Sequence, residues 1–139
     1  MSALPEEFLG KWAYDKHDGF DKYLEAKGVP WLVRKIILLS GHVIDFVKTD
    51  TGYIADHKMS KKSLHYVFEL DKEFQNDGFD GKKHNITITF VNGILKEDHQ
   101  IIDEPSAIAE NYSYVIDGDR LVQTMSSGAV SCKRFYKRK

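Results

Sequence analysis

In "HNITITFVNGILKEDHQII", residues 84–102, two short runs of strand-forming residues, 84–90 and 93–102, meet at Asn92-Gly93. Asn-Gly between two such runs is a hairpin signal, because a type I′ turn needs positive φ at its central positions. The same punctuation recurs from Gly41 onward: "DTG" (50–52), "NDG" (76–78), "DG" (80–81 and 117–118) and "SSG" (126–128). Between these turns lie further strand-like runs such as "ENYSYVI" (110–116) and "RLVQTM" (120–125). The count comes to about ten strands, which predicts an all-β antiparallel barrel or sandwich.

One segment departs from that pattern. "FDKYLEAKGVPWLVRKIILL" (20–39) carries helix formers in "DKYLEAK", then Gly28 and Pro30, then an apolar run. Gly-Val-Pro suits the end of one helix and the start of another, with Pro30 tolerated in the first turn. The reading is a helix–turn–helix inserted after the first strand. It lacks a basic recognition face, so it serves as a lid over a barrel mouth and does not read DNA.

Composition narrows the function classes. The 139 residues are expected to form one domain, residues 1–139, large enough for an enclosed cavity. Twenty basic and 21 acidic residues leave a net charge of −1, without the basic excess of a nucleic-acid binder. The longest apolar run, "IILLSGHVI" (36–44), is too short to span a bilayer as a helix. Cys132 is the only cysteine, so no intrachain disulfide forms.

The C-terminal "CKRFYKR" (132–138) raises a physical question. As a strand it places Val130, Cys132, Arg134 and Tyr136 on one face and Ser131, Lys133, Phe135 and Lys137 on the other. The lysine face is wet, so Arg134 lies on the inner side. A buried guanidinium without a partner is costly, and this one must face something inside.

Three ordered motifs resemble the intracellular lipid-binding protein family, the fatty-acid-binding and retinoid-binding proteins. "FLGKWAYDKHDGFDKYLEAKGV" (8–29) follows the family pattern at Gly10, Trp12, Gly19, Phe20, Asp21, Tyr23 and Leu24, while Tyr14 stands where an aliphatic residue is usual. "FELDKEF" (68–74) is similar to the family's Phe-x-Leu-Gly-x-Glu-Phe, with Asp71 in place of glycine. Arg134-Phe135-Tyr136 matches the family's Arg-x-Tyr. The likeness runs from about Phe8 to Tyr136 and is closer to the nematode-type subgroup, on "LP…FLG", "EFQ", the long segment "DEPSAIAENY" (103–112) and "DGD".

The resemblance implies a ten-stranded up-and-down antiparallel β-barrel of the lipocalin/calycin type. It implies a non-enzymatic carrier of long-chain fatty acids, with the ligand carboxylate on Arg134 and Tyr136. Tyr114 falls where fatty-acid binders often place a second inward arginine, so a two-arginine clamp is not expected and Tyr114 supplies a hydroxyl instead. His99, Met125, Phe20 and Phe68 are the cavity-lining candidates. The portal is expected near Ile36, Ile37 and the turns around His57 and Lys61. Lys35, Lys61 and Lys62 could there meet an anionic membrane, although lysines in turns are usually just solvated.

Magnitudes divide the work between tail and head. About 16 methylenes at about 0.8 kcal/mol each give roughly 13 kcal/mol gross, before the costs of association. A charged hydrogen bond contributes about 1.5–3 kcal/mol. The tail supplies the affinity, and Arg134 orients the ligand and selects an acid. Arg-x-Tyr reads a head group and not a tail, so a retinoid or another hydrophobic acid is the alternative ligand.

Bland readings stand beside these. Arg134 and Tyr136 could instead form a cross-strand ion pair near a sheet end, and Tyr114 could simply pack. Trp12 and Phe20 read as core, Trp31 as packing on the barrel rim, and Phe68 and Phe74 as cavity walls or fillers. The six histidines, at 17, 42, 57, 65, 84 and 99, show no HxH, HxxxH or HExxH spacing, so no metal is expected. No Gly-x-Ser-x-Gly elbow or phosphate-cradling glycine loop is present, which leaves a barrel enzyme acting on a lipid as a remote reading. No cofactor is expected beyond a bound fatty acid, and the chain is expected to be monomeric. The sequons at Asn85 and Asn111 matter only in a secreted protein. Taken literally the chain is cytoplasmic. If Met1 replaces a removed signal on a mature chain it is secreted, and the nematode-type likeness favours that.

Overall fold

The computed structural model describes residues 3–104 and 106–139; Met1, on which the expectation about a removed signal rests, and Pro105 of the 103–112 segment lie outside them. A 3-10 turn at Glu6–Phe8 leads into β1 (Gly10–Asp18), followed by two helices, α1 (Phe20–Ala26) and α2 (Trp31–Leu39). Nine strands then follow: β2 (His42–Lys48), β3 (Tyr53–Met59), β4 (Ser63–Phe68), β5 (Phe74–Asp77), β6 (Lys83–Val91), β7 (Ile94–Ile101), β8 (Glu110–Asp117), β9 (Arg120–Ser127) and β10 (Val130–Arg138).

All ten strands form one antiparallel sheet in the order β4-β3-β2-β1-β10-β9-β8-β7-β6-β5. This is the up-and-down meander that the family resemblance implies, with β1 returning to pair with β10. The sheet rolls into a nearly closed barrel whose seam lies between β4 and β5. Side chains stitch that seam where the backbone ladder does not: Tyr66 Oη donates to the Asp77 carbonyl at 2.7 Å, and Asn76 Nδ2 donates to the His65 carbonyl at 2.9 Å.

Turn chemistry explains the meander. In the β6–β7 hairpin Val91 pairs with Ile94, and both central residues, Asn92 and Gly93, have positive φ, as type I′ requires. At β8–β9 and β9–β10 only the first central residue, Gly118 or Gly128, is left-handed. That is the type II′ pattern, so the Asp-Gly at 117–118 makes a tight hairpin by a different turn from the one expected.

Strand parity sends one face of each strand inward. Ile44 and Phe46, Leu64 and Tyr66, Ile86 and Ile88, and Leu121 are all buried. At the barrel end near the N-terminus Trp12 is buried and donates from Nε1 to the Phe8 carbonyl at 2.9 Å, while Arg138 covers its ring. Trp12 therefore packs as expected.

The helical pair is held by an arginine inside the lid itself. Arg34 Nε donates to Asp21 Oδ1 at 2.9 Å, and its Nη1 donates to the Val29 carbonyl at 2.9 Å, tying α2 to α1. Consequently α2 turns much of its apolar surface outward. Trp31 is 62% exposed and Leu39 89% exposed, with Leu32 between them also exposed. Trp31 thus does not pack on the barrel rim; Lys35 Nζ lies 5.6 Å from its ring centroid instead. No helix among the described residues is long and apolar enough to cross a membrane.

Candidate ligand cavity

A cavity of about 410 Å³ lies beneath the lid, within the roughly 300–1,000 Å³ usual for a small-molecule site. Its walls are Phe20, Tyr23 and Leu24 of α1, Val33, Ile36 and Ile37 of α2, the β3–β4 turn at Met59–Lys62, and Phe79 and Asp80 of the β5–β6 turn. Tyr112, Met125, His42 and Arg134 form its floor. Among the sequence candidates, Phe20, Met125, Ile36, Ile37, Lys61 and Arg134 are thus on the wall. Tyr136, Tyr114, His99 and Phe68 are buried but do not line it. His57, expected at the portal, is instead inside the barrel and 1% exposed. Its parity explains this, since Tyr53, Ala55 and His57 all point inward along β3.

Arg134 is 6% exposed and sits at the cavity floor among rings. Its guanidinium carbon lies 4.5 Å from the Tyr14 centroid and 4.4 Å from that of Phe20. It pairs with no carboxylate among the described residues. Its Nη1 donates to His42 Nδ1 at 3.1 Å, and its buried Nε has no partner. The bland reading of Arg134, a cross-strand ion pair, has no acidic partner to support it.

His42 was not singled out by sequence. Arg134 Nη1 and Tyr136 Oη, the latter at 2.9 Å, both converge on its Nδ1. A guanidinium N–H can only donate, so Nδ1 must offer its lone pair. Neutral His42 then carries its proton on Nε2 and donates it to His57 Nδ1 at 3.0 Å. His57 in turn carries its proton on Nε2, an atom that is buried without a partner. Burial, with His57 and Arg134 adding to it, holds the His42 pKa well below the usual imidazole range. Burial likewise lowers His57 to about 4. Tyr136 Oη also lies 3.3 Å from Gln123 Oε1, and Gln123 Nε2 donates to Tyr114 Oη at 3.0 Å. Tyr114 therefore belongs to the same hydrogen-bonded set as Tyr136.

A second polar chain crosses the interior. Glu97 Oε2 and His99 Nε2 are 2.6 Å apart, His99 and His84 meet through their Nδ1 atoms at 2.9 Å, and His84 Nε2 lies 2.9 Å from Asp80 Oδ1. Asp80, His84 and Glu110 bring polar atoms within 4.8 Å of one another, a convergence invisible in the sequence spacing. Lys27 at the end of α1 forms an ion pair with Glu110 there, so a cation of the chain itself already serves that cluster. Parity could have found three of these histidines: His42, His57 and His84 share a face with buried Ile44, Ala55 and Ile86, two positions away. Cys132 is buried beside Arg134, and burial raises its thiol to about 11, consistent with an inert apolar role.

A lidded antiparallel barrel with an apolar cavity and a buried, unpaired cation at its floor defines a protein built to enclose a hydrophobic molecule. No family model matches the chain. It is 39% identical over 140 residues to fatty acid-binding protein homolog 3 of Caenorhabditis elegans, covering 99% of this chain and 85% of the relative. It is 35% identical to a fatty acid-binding protein homolog of Ascaris suum, covering 98% and 86%. Among solved structures it superimposes on As-p18, an extracellular fatty acid binding protein, with a TM-score of 0.91 and 34% identity, covering 99% of this chain and all of that one. The chain belongs to the fatty-acid-binding protein family.

Proposed function

We propose that the protein is a non-enzymatic carrier that encloses a long-chain fatty acid, or a hydrophobic acid of similar shape, beneath its helical lid. The carboxylate accepts hydrogen bonds from Arg134 and Tyr136, with Tyr114 behind them through Gln123. One observation carries this reading: Arg134 is a buried cation with an unsatisfied Nε and no acidic partner among the described residues, and it looks into an apolar cavity. A ligand carboxylate supplies what that guanidinium lacks, and Arg suits the task because its fork stays charged and pairs with both oxygens. The names of the relatives support the same ligand class.

The protein acts as a monomer and needs no cofactor. Ligand enters past Ile36, Ile37 and Lys61. The exposed Trp31, Leu32 and Leu39, with Lys35 beside them, support transient contact of α2 with a membrane during transfer. Likeness to As-p18, an extracellular protein, supports export of this chain to the extracellular space. The test is a titration of delipidated protein with a long-chain fatty acid and the matching alcohol, repeated on Arg134→Ala. The acid is expected to bind at one site and weaken with the substitution while the alcohol is indifferent to it. Equal behaviour of acid and alcohol in both proteins removes Arg134 from the head-group role, and failure of both to bind removes the carrier reading.

A further inference from the structure

We infer that His42 is the resident occupant of the head-group site and that an acid displaces it by turning it into a second cation: the carboxylate binds together with one proton, which ends on His42 Nδ1. This rests on the carrier reading above and adds a residue and a proton to it.

The geometry forces the choice. Without ligand, the two donors that a carboxylate would use, Arg134 Nη1 and Tyr136 Oη, both point at His42 Nδ1, at 3.1 and 2.9 Å. A carboxylate that takes those donors leaves the Nδ1 lone pair beside an oxygen, two acceptors with no hydrogen between them. Placing a proton on Nδ1 converts that contact into a third, charge-assisted hydrogen bond. The balance is simple: the ionised ligand, one proton from solvent and neutral His42 give a carboxylate bonded to imidazolium, and no covalent bond other than the new N–H changes. An acid that enters uncharged brings the proton itself.

The other end of the ring is fixed. His42 Nε2 donates to His57 Nδ1 in either charge state, so only Nδ1 can respond. Among the described residues, His42 bonds to or stacks on four side chains. His57 comes from β3, Arg134 and Tyr136 from β10, and the Phe79 ring from the β5–β6 turn, edge-on at 6.0 Å. Glu97 and Asp56 act on His57 and make no bond to His42. Burial, with His57 and Arg134 adding to it, keeps His42 neutral while no acid is bound. A carboxylate is the one addition that reverses that balance, so the imidazole charges only when the ligand is an acid. His42 then supplies, on demand, the second cation that the inner face lacks at Tyr114.

The experiment is isothermal titration of delipidated protein with a long-chain fatty acid and its alcohol, in buffers of different ionisation enthalpy, between pH 6.5 and 8. A monomeric carboxylic acid is already ionised there, so any proton taken up goes to the protein. The expected result is uptake of about half to one proton per acid, with affinity falling by up to about tenfold per unit as pH rises through the pKa of His42 in the complex. The alcohol takes up none. His42→Gln, whose amide oxygen still accepts from Arg134 and Tyr136 but cannot bind a proton, binds the acid without uptake. Acid binding with no uptake in the wild type, or with equal uptake in His42→Gln, overturns the inference and leaves the carrier reading standing. Absence of acid binding overturns both. Should His42→Gln not fold, nitrogen-15 shifts of the wild-type imidazole decide: His42 must pass from a neutral tautomer bare at Nδ1 to imidazolium on adding acid, and an unchanged tautomer refutes it.

Discussion

Replacing Arg134 by methionine separates a binding residue from a structural one, because the two roles predict opposite signs for the stability of the empty barrel. A buried charge carries a desolvation penalty of several kcal/mol, which Arg134 offsets with one hydrogen bond to His42 and with the Tyr14 and Phe20 rings. The hydrogen bond contributes about 1.5–3 kcal/mol, and stacking on two rings about 1–2 kcal/mol each. The unsatisfied Nε costs about 1–3 kcal/mol more. Replacing unfavourable buried ionic groups by apolar ones of similar volume is often neutral or stabilising by about 1–4 kcal/mol. His42 Nδ1 keeps the Tyr136 hydroxyl as a donor in the variant, so no new buried acceptor is stranded. Arg134→Met is therefore expected to stabilise the delipidated protein by about 1–2 kcal/mol, a rise in Tm of about 3–6 °C for a chain of this length. Acid affinity should fall at the same time by about 1.5–3 kcal/mol, roughly 10- to 150-fold. Thermal and urea unfolding of the delipidated variant give the first quantity and ligand titration the second. Destabilisation by more than about 1 kcal/mol, with acid binding intact, would refute the reasoning and make Arg134 a structural cation.

Other outcomes follow from the same geometry. Asp71 occupies a left-handed backbone conformation, φ 69°, where the family pattern has glycine; Asp71→Gly should stabilise by about 0.5–1 kcal/mol in urea titration. Arg34→Ala removes the two hydrogen bonds that tie α2 to Asp21 and Val29. It should cost about 2 kcal/mol and speed ligand dissociation in stopped-flow measurements, with Arg34→Lys recovering only part of the loss. His57 has a folded pKa of about 4 against 6.5 unfolded, so the unfolded chain binds the extra proton first. Stability is full above pH 6.5 and is lost as pH falls toward 4, by about 3 kcal/mol from this group. Urea titrations at pH 7 and pH 4.5 that agree within about 1 kcal/mol would rule this out.

Most of the architecture was legible because it depends on local chemistry. Asn92-Gly93 encodes its own turn, Gly-Val-Pro at 28–30 separates the two helices, and "CKRFYKR" announces its wet and dry faces by alternation alone. The inward position of Arg134 followed from that parity. The interior polar groups were harder to read, for a physical reason. In "LKEDH" (95–99) every residue after the leucine is polar, so sequence hydropathy gives no clue that Glu97 and His99 are buried while Lys96 and Asp98 are wet. Only the register of β7 against β6 and β8 makes that choice.

The sequence by itself determined the number and kind of elements, the family, and the arginine that needs a partner, since each is written in turn residues, periodicity or a short motif. Tertiary structure alone decided what that arginine touches. His42 and Arg134 are 92 residues apart, and His42 and His57 lie on neighbouring strands; they meet only because the sheet curls until β2 and β10 face one interior. Hydrogen-bond direction, tautomer and charge on His42 are properties of that enclosed meeting, and the spacing of residues along the chain holds no record of them.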